Sequence, residues 1–145
     1  MAATDGRATA RVGLFAALTR APWNFDFFQA LRRIEGLFTD RPRLGKALRP
    51  ADEPVRISQE PSVAFAPSTL SAFEENGVRP RLEQRFFGLL GPNGPLPLHM
   101  TEYARERLLH HDDPTLARFL DIFHHRFALL FYPAWAESRP TAQQD

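Results

Sequence analysis

Prolines interrupt this chain so often that few long regular elements fit between them. Thirteen of its 145 residues are proline, about 9 % against a usual ~5 %, and each fixes φ and removes one backbone donor. The densest group is Gly88-Leu89-Leu90-Gly91-Pro92-Asn93-Gly94-Pro95-Leu96-Pro97-Leu98, where three glycines and three prolines share eleven residues with four leucines. A flexible linker would be polar. Leucines in a segment with so few soft torsions indicate a rigid connection packed against something.

Helices are expected in the longer intervals. From Asn24 as N-cap to Phe38, the residues Phe28, Leu31, Ile34 and Phe38 recur at helical spacing, and Phe25 and Phe27 widen the apolar face. Thr101 caps a second helix running to about His111. Asp113 caps a third, with Pro114 in its first position. There Leu116, Phe119, Leu120, Phe123, Phe127, Leu130 and Phe131 follow i, i+3/i+4 spacing until Pro133 closes the helix. Ahead of these, residues 1–10 are expected to be disordered and Arg11 to Thr19 to form a short helix ended by Pro22.

Three stretches alternate with period two and read as short strands: Val55 to Gln59, Val63 to Phe65 and Arg81 to Phe87. Pro67-Ser68 is expected to open one helical turn through Leu70 and Phe73, and residues 39–54 to form a long loop. The fold class is therefore α+β, with phenylalanine-rich helices packed on a small antiparallel sheet and joined by rigid Pro/Gly-rich loops.

Composition removes several functions. Without cysteine there is no disulfide, thiol nucleophile or thiolate metal site. Eighteen basic against 17 acidic residues leave a net charge of +1, which argues against a partner held mainly by charge, such as nucleic acid or an anionic membrane. Lys46 is the only lysine, and arginine suits planar, partly buried contacts better than lysine does. The Val12 to Leu18 run is too short to span a bilayer. Thr19-Arg20-Ala21-Pro22-Trp23 lacks a small-x-small cleavage site, so a cytoplasmic location is expected.

Catalytic equipment is sparse. Asp121 lies one helical turn from His124 and His125, which resembles half of a carboxylate-bridged metal site. The further donors His110, His111, Asp112 and Asp113 fall two or three turns away. No serine sits on a nucleophile elbow, and the prolines of the 88–98 segment remove the amides a phosphate would use. Arg79, Arg81 and Arg85 beside Phe86 and Phe87 interleave charge and aromatics as a single-strand RNA platform does, broken by Glu83. A small metal-dependent enzyme and an RNA-binding module are therefore rivals to the favoured class, a structural or interaction protein with no catalytic residue, cofactor or metal. Its candidate packing or partner-interface residues are Phe28, Leu31, Leu96, Leu98, Phe119, Phe123, Arg126 and Phe131, with Tyr132 and Trp135 beside the polar end.

The order of motifs adds a resemblance. Phe27-Phe28-Gln29-Ala30-Leu31-Arg32-Arg33-Ile34-Glu35, Arg-Pro-Arg-Leu-Gly at 41–45, Val55-Arg56-Ile57-Ser58-Gln59, the 88–99 segment, and Phe119-Leu120-Asp121-Ile122-Phe123-His124-His125-Arg126 with Phe131-Tyr132 and Trp135 together resemble the TssG (ImpH/VasB) family. The resemblance covers roughly residues 20–140. It implies a non-enzymatic subunit of the type VI secretion baseplate, cytoplasmic and docked at the inner-membrane complex. It also implies two copies of TssF as partners in a wedge, TssK adapters attached through parts outside this stretch, and the spike hub and sheath as neighbours. Nucleic acid and direct membrane insertion are not expected. The chain then divides into a tail and short helix (1–20), a region similar to the family's N-terminal portion (21–140) and a polar end (141–145) expected to mark a truncation.

Overall fold

The computed structural model describes residues 2–140, so the polar end at 141–145 lies outside the described residues. In chain order the elements are α1 (Ala2–Arg20), α2 (Phe27–Leu37), β1 (Arg56–Gln59), β2 (Leu70–Glu74), β3 (Arg81–Gln84), α3 (Leu98–His110) and α4 (Thr115–Glu137). Among the described residues, no helix is long and apolar enough to cross a membrane.

Helix α1 replaces both the disordered tail expected over residues 1–10 and the short helix expected after it. Six of its 19 residues are alanine, the strongest helix former, so propensity carries it beyond the part that packs. Its C-terminal part buries Phe15 and Leu18, while residues 4–13 stay exposed and reach the fold through side chains such as Arg7, which donates to Thr39 at 2.7 Å. In α2 the cap is Asp26 rather than Asn24. The Asp26 carboxylate accepts the Phe28 and Gln29 amides, and Phe27, Ala30, Leu31 and Ile34 face the core.

The α+β class holds, but the sheet is mixed rather than antiparallel, with strand order β1-β3-β2. β2 and β3 form a hairpin, and β1 pairs parallel to β3 on the other side. The difference arises because the middle strand in sequence is Leu70–Glu74 and not Val63 to Phe65. The expected helical turn through Leu70 and Phe73 is thus a strand, and a bulge explains the misleading spacing. Leu70 pairs with Gln84 and Ala72 with Glu83, so two steps along β2 match one along β3. The extra residue lets Leu70 and Phe73, three apart, both point into the core.

The main core joins Phe15 and Leu18 of α1, Leu31 and Ile34 of α2, Ile57, Phe73 and Leu82 of the sheet, and Leu129 and Tyr132 of α4. A smaller cluster of Leu90, Ala104 and Leu120 fixes the Gly/Pro segment to α3 and α4. α3 begins at Leu98, one turn before its expected cap, so Thr101 is internal and fully buried. Asp113 does act at the start of α4: its carboxylate accepts the Thr115 amide at 3.1 Å and holds Arg107 at 2.7 and 3.0 Å. The Thr115 hydroxyl and then Arg107 keep that carboxyl at about 2, below its ordinary range.

Pro133 does not close α4, which continues to Glu137. A proline there removes the N–H that would bond the Leu129 carbonyl. Gly45, with φ of +83°, fills that notch: a Cβ on it would collide with the Leu129 carbonyl and stand 2.9 Å from Pro133 Cγ. The 39–54 loop is otherwise held by two carboxylates, Glu35 accepting the Leu44 amide at 2.9 Å and Glu53 accepting the Gly45 amide at 3.0 Å.

Candidate partner-binding face

Helix α4 has two apolar or aromatic sides, and its inner side shows what the Asp-x-x-His-His motif does. β1 is an edge strand, bonded to β3 through residues such as Arg56, whose amide donates to Pro80 at 2.8 Å. The amides of Ile57 and Gln59 point the other way, toward α4. There His125 Nδ1 accepts from Ile57 at 3.1 Å and Asp121 Oδ1 accepts from Gln59 at 3.1 Å. Two helix side chains therefore cover donors that an open sheet edge would offer to another strand.

His124 ties the same helix to the Gly/Pro segment. Its Nε2 accepts the Leu89 amide at 3.0 Å, which leaves Nδ1–H to donate to Asp121 at 2.9 Å. Asp121 in turn takes Arg118 at 2.9 Å. Burial, followed by Arg56, Arg79 and Arg126, pushes the His125 imidazole down to about 4, so it is neutral at pH 7.

Three neutral side chains finish the clamp on the 86–91 stretch. The buried Gln59 amide both donates to the Leu90 carbonyl (2.8 Å) and accepts the Leu90 N–H (3.0 Å), as a strand neighbour would. Gln84 accepts the Phe86 and Phe87 amides and donates to the Phe87 carbonyl. Thr101 accepts the Gly91 amide at 2.9 Å. The rigid, packed connection expected from the prolines is thus held by side chains from β1, β3, α3 and α4.

The outer side of α4 is a row of aromatics four residues apart: Phe119, Phe123, Phe127, Phe131 and Trp135. Four residues turn a helix by about 400°, so the row winds about 40° at each step along roughly 24 Å. It begins in solvent, with Phe119 55 % exposed, and ends in contact with the core. Trp135 stacks on Phe28 with centroids 4.5 Å apart, and Phe131 stacks on Phe87 at 5.3 Å. Beside it runs a second row, Ile122, Arg126 and Leu130, in which Ile122 is 63 % and Leu130 58 % exposed. Continuous aromatic and aliphatic surface around a central arginine has the make-up of an interface core.

The candidate residues divide accordingly. Leu31 and Tyr132 are core side chains, and burial pushes the Tyr132 hydroxyl up to about 12. Phe28 and Trp135 are half-buried at the core's edge, while Leu96 packs on the smaller cluster. Leu98, Phe119, Phe123, Arg126 and Phe131 are exposed. Ile122, Phe127 and Leu130 also belong to the outer face. The i+4 recurrence of phenylalanine was the signal for Phe127, hidden because the same spacing describes a core stripe.

The rival sites do not assemble. Among the described residues, no group of three His, Asp or Glu side chains could hold a metal ion. His124 and Asp121 bond each other and backbone amides, and His111 instead approaches Glu106 at 3.8 Å. The arginines of the RNA-like pattern are engaged within the fold: Arg81 pairs with Glu74, Arg85 with Glu60, and Arg79 donates to the Pro50 and Glu53 carbonyls. Phe86 packs edge-on against Phe27 at 5.0 Å.

Residues 21–145 match the family model described as "Type VI secretion, TssG". No curated protein and no solved structure matches the chain.

Proposed function

The chain belongs to the TssG family, a component of the type VI secretion baseplate, and on that premise we propose that it is a non-enzymatic scaffold whose outer α4 face docks TssF. The observation that carries this is the exposed double row on α4, from Phe119 to Phe131 with Arg126 among its aromatics. Such a face costs free energy in water and recovers it when a partner covers it. The TssK adapters, spike hub and sheath are neighbours in the same assembly, with no surface of this chain assigned to them.

A force-bearing subunit needs its docking helix fixed to the rest of the fold. The clamps through His124, His125 and Asp121 supply this, since each gives a polar group a defined partner that sliding would break.

Co-expression with TssF followed by size-exclusion chromatography tests the proposal. The expected result is co-elution with the unaltered chain and its loss when Phe123→Asp and Leu130→Asp are combined. Failure of soluble TssF to co-elute with the unaltered chain removes the reading.

A further inference from the structure

The sheet has a second face, turned away from the main core. Ile57, Leu82 and Phe73 point into the core, so Arg56, Ser58, Arg81 and Glu83, one residue out of step, lie on the opposite side. With the 74–79 turn and the start of α4, this side forms an open cleft of about 610 Å³ lined by Arg56, Ser58, Arg79, Arg81, Arg118 and Asp121 among others.

The charges in the cleft do not cancel locally. Glu74 is taken by Arg81 at 2.6 Å and Asp121 by Arg118 at 2.9 Å. Arg56 and Arg79 form no ion pair among the described residues, and Arg79 donates only to backbone carbonyls. Burial and then the neighbouring Arg56 and Arg41 lower the Arg79 pKa. Glu83, on the same sheet face, is bonded by the Ser71 hydroxyl at 2.8 Å, and burial raises its pKa.

Beneath the cleft surface the Ser58 hydroxyl and Arg81 Nε are buried without a hydrogen-bond partner, so the groups that face an incoming ligand are the Arg56 and Arg79 guanidinium groups.

We propose that this cleft binds an acidic peptide segment of a protein partner, whose carboxylate pairs with the Arg56 and Arg79 guanidinium groups. Guanidinium forks match planar carboxylates. A phosphate site would ordinarily present a cradle of backbone N–H groups at a helix start, whereas the donors in this cleft are side chains. A single carboxylate fills a small part of 610 Å³, which leaves room for the flanking residues of a segment. The proposal stands on a different surface from the outer α4 face and does not rest on the TssF assignment.

Fluorescence anisotropy of labelled hexaglutamate, titrated with the 145-residue chain at low salt, tests it. Saturable binding is expected, weakened about tenfold by Arg56→Gln, the worth of one charge-assisted hydrogen bond. Absence of saturable binding, or equal weakening by the remote Arg20→Gln, overturns the proposal. So does competition by inorganic phosphate at the peptide's own concentration, which would mark a small-oxyanion site instead.

Discussion

His125 Nδ1 accepts the Ile57 amide 3.1 Å away, so a helix side chain stands where a fourth strand would bond the sheet edge. This requires an imidazole whose Nδ1 carries no proton. Protonation turns the acceptor into a second donor facing a donor, inside a pocket already crowded by Arg56, Arg79 and Arg126.

Stability should therefore fall on the acid side of neutrality. The imidazole titrates at about 4 in the fold against 6.5 when free, so the unfolded chain binds the proton first. His125 contributes fully above about pH 6.5, and its contribution is lost as the pH falls toward about 4. Thermal melts between these values are expected to show a decline that His125→Asn flattens, because the Asn carbonyl accepts from Ile57 without titrating. An unchanged slope in the variant would assign the decline to other groups.

The Gln59 amide is expected to control the Gly/Pro segment. Gln59→Leu keeps the volume but leaves the Leu90 N–H and C=O unpartnered in the interior, at roughly 1–3 kcal/mol for each group. Hydrogen exchange should show the Leu90 amide exchanging faster while amides of α1, which Gln59 does not touch, keep their protection.

Gly45 and Gly77 separate backbone strain from steric exclusion. Both have positive φ, +83° and +105°, so alanine at either costs about 1–3 kcal/mol in strain. Only at Gly45 does the new methyl also meet the Leu129 carbonyl and Pro133, while nothing lies within 4 Å of Gly77. Denaturant melts should find Gly45→Ala clearly the more destabilising of the two.

Those contacts also show what the sequence concealed. Alternation at Val55 to Gln59 and Arg81 to Phe87, and the apolar period of α2 and α4, are local patterns and emerge as elements near their expected bounds. β2 was hidden by its bulge, since Leu70 and Phe73 at i, i+3 mimic a helical turn. The end of α4 was hidden because Pro133 reads locally as a stop, whereas in the fold Gly45, 88 residues earlier, packs against the Leu129 carbonyl that the proline leaves unbonded. The histidines stood out as candidates for chemistry. Their partners are backbone amides of Ile57 and Leu89, which carry no side-chain signature.

The winding of the aromatic row makes a graded prediction along α4. Phe119 is largely in solvent, so Phe119→Ala should shift stability of the isolated chain by no more than about 0.5 kcal/mol. Trp135 stacks on Phe28 and packs against the core, so Trp135→Ala should cost roughly 2–4 kcal/mol. Affinity for TssF should run the opposite way, because an exposed ring that contributes little to the fold has its area free for a partner. Alanine substitutions at Phe119, Phe123, Phe127, Phe131 and Trp135, each measured by denaturant melt and by TssF binding, would show the two trends crossing. If the ring nearest the core proved the most important for binding and the solvent-exposed one the most important for folding, the outer face would not be the docking surface.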